Sequence, residues 1–184
     1  MSSRRVLLVV NVQIGLVPSL PAASTILQNI ALVLSHARRA SPAPLIIHLR
    51  NCGEPGDPDE EGTPTWQLLH PPLPDSDELV LNKRKSNAFA GTTLGDEIDA
   101  EAEIIVVGLL SEFSIKSTCK AALQRGNTVF LMAGAHGTYD HKDLVEAGRV
   151  IPAETIQTQV EEELDKAGAI ILEMKYLPGL FEGR

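Results

Sequence analysis

Three polar residues follow or close apolar runs in this chain: Asn11 after VLLVV, Lys83 after LVLN, and Ser114 within GLLSEFSIKSTCKAALQRG. The last segment reads as a buried strand end running into a helix, whose first turn offers a nucleophile free backbone N–H donors. Ser114 is therefore the candidate nucleophile. Its hydroxyl is un-ionised at neutral pH and needs an adjacent base. Asn11 is not that base, because an amide has no useful proton affinity and only positions groups by hydrogen bonding. Lys83 supplies the basic side chain. Each residue also has a plainer reading: Ser114 as a helix N-cap, Asn11 as a strand-end amide holding loop backbone, and Lys83 as one of a solvated cluster with Arg84 and Lys85.

Other side chains gather around these by sequence position. Phe89 in NAFAG and Trp66 in the long loop are candidates for an apolar wall over a small substrate, Phe89 equally for the core. Leu110, Ser111, Glu112 and Phe113 flank Ser114, and Glu112 is the one carboxylate of that segment. His136 and Tyr139 follow the fifth expected strand, on the side where the site should lie. Cys119 reads as a small core residue and Cys52 as an exposed bystander thiol. His48 and His70 read as ordinary strand-end and loop residues, and no metal site is expected.

The elements that must position these groups are legible as near-continuous apolar runs at 6–10, 44–49, 78–81, 104–108, 128–132 and 169–172. Such runs suit parallel strands covered on both faces. Helical spacing appears over 24–39, with Ile26, Ile30, Leu32, Val33 and Leu34 as its apolar residues, and over 114–125 and 152–166, the last two ending before Gly126 and Gly168. Alternating strands and helices give a three-layer α/β/α sandwich around a mostly parallel, doubly wound sheet of about six strands. Ligands bind such sheets at the carboxyl ends of the strands, beside the topological switch point. The stretch 51–74, rich in Gly, Pro and acids, reads as a long functional loop or lid.

The chain of 184 residues reads as one domain spanning 1–184. Its net charge of −8 argues against a nucleic-acid surface. No run approaches the roughly 18 apolar residues of a membrane span. Two cysteines are too few for a disulfide framework and suit a reducing compartment, with the cytosol as the default.

Four segments in order, LLVVNVQIGL, GTPTWQLLHPPLP, NKRKSNAFAGTTL and GLLSEFSIKSTCKAALQRG, resemble the isochorismatase-like superfamily, also called the cysteine hydrolases. The resemblance implies a pocket in which an Asp general base, a Lys and a Cys nucleophile act on a small molecule, without a cofactor, in a homodimer or homotetramer. It places the Lys at Lys83, and puts Asn11 where most members have the Asp and Ser114 where many have the Cys. It also implies a cis peptide bond at Leu110–Ser111 and an oxyanion hole of backbone N–H groups near Ser111 and Ser114. Without a carboxylate at position 11 to favour its charged form, a buried Lys83 loses proton affinity and becomes an amine able to deprotonate Ser114. The expectation is a hydrolase of small amides, esters or vinyl ethers working through Asn11, Lys83 and Ser114. The alternatives are a binding or assembly protein that has lost the chemistry, or a lyase or cyclase that uses Lys83.

Overall fold

The computed structural model describes residues 5–182. In chain order the elements are β1 (Val6–Val10), α1 (Ala23–Arg39), β2 (Leu45–Asn51), β3 (Leu79–Lys83), α2 (Leu94–Glu97), β4 (Glu103–Leu109), α3 (Lys116–Gln124), β5 (Thr128–Gly137), β6 (His141–Lys142), β7 (Val150–Ile151), α4 (Ala153–Lys166), β8 (Ile170–Glu173) and α5 (Leu177–Leu180). Six of the strands form one sheet in the order β3-β2-β1-β4-β5-β8, and every pairing in it is parallel. This is the six-stranded doubly wound sheet expected from the apolar runs. β6 and β7 add a small antiparallel hairpin that the sequence pattern did not reveal.

The strands are apolar throughout because helices cover both faces. Leu7 and Val9 point into one core layer with α1 and α5, whereas Val6, Leu8 and Val10 point into the other with α3 and α4. In α1 the buried stripe is Ile26, Ile30, Val33, Leu34 and Ala37, at helical spacing. Leu32, expected in that stripe, lies 49% exposed, because it falls on the opposite side of the turn. Leu8 is fully buried in the sheet, and its truncation to Ala costs about 2–5 kcal/mol at such a site.

Chain order reverses between β1 and β4, so their carboxyl ends flank the switch point. Gly108 allows the two ends to meet. It pairs with Val10 at a φ of +125°, and a Cβ there would collide with the Val10 carbonyl.

The long loop after β2 is pinned to the same end of the sheet by Gln13. This fully buried amide accepts from the Asn51 N–H (2.9 Å) and donates to the carbonyls of Asn51 (3.0 Å) and Trp66 (2.9 Å). His48 is not a strand-end residue: it lies within β2, fully buried, with Nε2 2.7 Å from Glu78. Arg38 donates to both oxygens of the same carboxylate at 2.8 and 2.9 Å. Burial pushes the His48 pKa down, and the contacts of Arg38 and His48 with Glu78 tie α1 and β2 to the segment before β3.

Candidate active site

The carboxyl ends of β1, β3 and β4 bring Asn11, Lys83 and Ser114 together. Asn11 follows β1 with a φ of +52°, a left-handed conformation that Asn tolerates better than most residues. Its N–H donates to the Leu49 carbonyl at 2.8 Å, and its Nδ2 donates to Ser114 Oγ at 3.0 Å. The side-chain amide oxygen, Asn11 Oδ1, is buried and has no partner.

Ser114 lies in a wide first turn, Ser111–Ile115, that leads from β4 into α3. The Leu110 carbonyl accepts from the N–H groups of Phe113 and Ile115 but not from that of Ser114 between them. Ser114 thus sits in the first turn of the helical segment that continues into α3. The cis peptide bond of this segment joins Leu109 to Leu110, one residue before the expected Leu110–Ser111 position.

Lys83 ends β3 and is 2% exposed. Its Nζ meets three acceptors: Ser114 Oγ at 2.9 Å, the Lys85 carbonyl at 2.9 Å and Asn51 Oδ1 at 3.4 Å. An ammonium donates to all three. A neutral amine donates to Lys85 and Asn51 and turns its lone pair on the Ser114 hydroxyl. Burial lowers the Lys83 pKa from its ordinary 10.5 to about 8, against the opposing pull of Asp59 and Cys52. The lysine segment is fixed by α3 itself, because Thr118 Oγ1 accepts from the Ala88 N–H at 3.1 Å.

Asp59 and Asn51 complete this surround, and sequence reading did not single them out. Asp59 is buried, and its Oδ2 accepts from Asn51 Nδ2 at 2.6 Å. Their only sequence signal was membership in the long loop, which holds several other acids. Cys52, expected as an exposed bystander, is buried next to Asn51, and its N–H donates to the Lys83 carbonyl. Burial raises its pKa. Cys119 is also buried, with its pKa pushed up to about 12. A cleft of about 290 Å³, lined by Cys52, Glu61, Asn82, Lys83, Arg84 and Lys85 among others, opens beside the site.

The remaining candidates divide. Trp66 is stacked under Arg50, whose guanidinium carbon lies 3.6 Å from the ring centre, at the loop side of the site. Phe89 lies against Arg125 beyond the far end of α3, away from Ser114, and packs on the core. Leu110 packs partly buried on the α1 side of the sheet. Glu112 Oε1 accepts from Thr138 Oγ1 at 2.8 Å and lies 3.5 Å from His141 Nε2, while its Oε2 is buried without a partner. Tyr139 donates its hydroxyl to the Leu16 carbonyl. His136 lies within β5 and joins Ser111 Oγ (2.8 Å) to Glu161 Oε1 (2.9 Å). A carboxylate only accepts, so His136 Nε2 donates to Glu161. Ser111 and His136 are buried, and this relay braces the start of the nucleophile turn from behind. Among the described residues no group of three or more His, Cys, Asp or Glu is placed to hold a metal ion. Among them, too, no helix is long and apolar enough to cross a membrane.

A family model for the isochorismatase domain matches residues 5–160. The chain belongs to the isochorismatase family. The chain is similar to a streptothricin hydrolase of Streptomyces noursei, 42% identical over 139 residues that make up 73% of this chain and 54% of that protein. A second streptothricin hydrolase of the same organism is 38% identical over 152 residues, 80% of this chain and 54% of that one. The chain spans about half the length of these curated relatives. The crystal structure of an isochorismatase from Pseudomonas putida KT2440 superposes with a TM-score of 0.82 at 26% identity, covering 94% of this chain and 89% of that one.

Proposed function

We propose that this isochorismatase-family protein is a small-molecule hydrolase of amides or esters in which Ser114 is the nucleophile and Lys83 the general base. The supporting observation is the approach of Lys83 Nζ to Ser114 Oγ at 2.9 Å, with acceptors already in place for its other two protons. Neutral Lys83 takes the hydroxyl proton as Oγ bonds to the substrate carbonyl carbon. Asn11 Nδ2, donating to the same oxygen, stabilises the alkoxide character that develops there. The carbonyl oxygen gains negative charge and is met by backbone N–H groups at the helix start, that of Ser114 among them. Lys83 then returns its proton to the leaving amine or alcohol, which departs and leaves an acyl-Ser114. Water, deprotonated by Lys83, attacks the ester carbon, and Ser114 recovers its proton through Lys83 as the acid leaves.

Ser114 is 5% exposed, an access suited to a small molecule. The names of the two Streptomyces relatives make streptothricin one substrate to assay alongside small amides, ureides and esters. Turnover of any of these by the wild type, lost in both Lys83→Met and Ser114→Ala, is the expected result. Turnover confined to an Asn11→Asp/Ser114→Cys variant would reject the Ser–Lys reading in favour of a pocket that has kept binding and given up its chemistry.

A further inference from the structure

Position 11 holds an amide, yet a carboxylate still reaches the basic centre by another route. The loop after β2 doubles back so that Gly53 N–H donates to the Asp59 carbonyl (2.9 Å) and Glu61 N–H to the Gly53 carbonyl (3.3 Å). Gly53 bridges Glu60 in the same turn. A Cβ on Gly53 would collide with Asp59 Oδ1, so the close approach depends on glycine. The result is a buried Asp59 carboxylate hydrogen-bonded to Asn51 Nδ2 (2.6 Å), while Asn51 Oδ1 faces Lys83 Nζ (3.4 Å). Asn51 is itself held by Gln13 through its backbone N–H and C=O.

From this continuous path we infer that Asp59 is a positioning residue for the hydrolysis: acting through Asn51, it holds Lys83 aimed at Ser114 and stabilises the ammonium formed when Lys83 takes the serine proton. The inference rests on the Ser–Lys reading for its chemical meaning. Asp59 polarises the Asn51 amide, strengthening the acceptor that Lys83 meets, and its negative charge opposes the burial that drives the Lys83 proton off. The other charged or titratable groups near Lys83 are Cys52, Glu61, Arg84 and Lys85, and Tyr139 faces Asp59. Arg84 and Glu61 pair with each other at the exposed rim, where solvent screens them. Asp59 is the buried carboxylate of the set.

The test is an NMR titration of the Lys83 side chain in wild type and Asp59→Asn, a substitution that keeps both shape and the acceptor for Asn51. The inference predicts that the Lys83 midpoint falls by about one pH unit in Asp59→Asn, and that the acid limb of the pH–rate profile moves down with it while the plateau rate drops. An unchanged midpoint in folded Asp59→Asn overturns it. If that variant does not fold, wild type decides: the Lys83 resonance must show a small second step as the Asp59 carboxyl protonates in acid, and its absence overturns the inference. Failure of the Ser–Lys reading is separately visible as turnover surviving Ser114→Ala, whatever the titration shows.

Discussion

Replacing Lys83 with Met removes the base and, on this account, also relieves a strain on folding that depends on pH. Burial holds the Lys83 pKa near 8 in the folded chain against an ordinary 10.5, so the folded state resists the ammonium by about 2.5 units, or roughly 3 kcal/mol. The sign follows from proton binding. Below about pH 8 both states carry the proton and the full penalty is present. Between 8 and 10.5 the unfolded chain binds more protons than the folded one, so wild-type stability rises with pH relative to a variant lacking the group. Lys83→Met also strips donors from the Lys85 carbonyl, Asn51 and Ser114, an opposing loss of about 1 kcal/mol per bond that varies little with pH. The absolute difference at one pH mixes these effects, whereas its change with pH isolates the lysine. Urea unfolding followed by Trp66 fluorescence at pH 7, 8, 9 and 10 should show wild type gaining about 2.5 kcal/mol on Lys83→Met across the range. A difference constant to within about 0.5 kcal/mol would refute the claim that Lys83 is held in the folded site with weakened proton affinity.

Other perturbations test the parts separately. Asn11→Asp places a carboxylate on the Ser114 hydroxyl that Lys83 also meets, raises the lysine's proton affinity and should move the acid limb of the pH–rate profile upward by about 1–2 units; a downward or absent shift argues against electrostatic coupling of positions 11 and 83 across Ser114. Gly108→Ala combines a collision with the Val10 carbonyl and a φ of +125°, so thermal melting should show a loss of about 3 kcal/mol or more, or no folded protein. Glu161→Gln leaves His136 free to change tautomer and should lower stability by about 1–3 kcal/mol with the acid limb of the profile unmoved, since His136 meets Ser111 rather than Lys83.

The sheet was legible because a parallel strand buried on both faces has little freedom in its residues, so runs such as VLLVV and EIIVVGL declare themselves. Asn11 and Lys83 are polar residues where apolar runs end, whereas Ser114 was picked out by the resemblance of the GLLSEFSIK segment to the nucleophile turn of the family. Asp59 was not, because Glu54, Asp57, Asp59, Glu60 and Glu61 share one loop, and only the turn at Gly53 determines which of them is buried. Cys52 looked exposed from its Gly- and Pro-rich surroundings, yet it directly follows β2 and inherits that strand's burial. Phe89 looked equally suited to pocket and core, and its contact with Arg125 beyond the end of α3 lies on the core side. The local sequence around His136 and around Glu161 gave no sign of their pairing, which joins a strand to a helix 25 residues later.

The central claim is that Ser114 becomes acylated, and intact-mass spectrometry of the protein quenched in acid during turnover tests it most directly. The account predicts a transient mass increase equal to the substrate's acyl group, mapped to the peptide containing Ser114, absent from Ser114→Ala and from Lys83→Met. Turnover with no adduct on that peptide in wild type, or an equal adduct in Ser114→Ala, would contradict it.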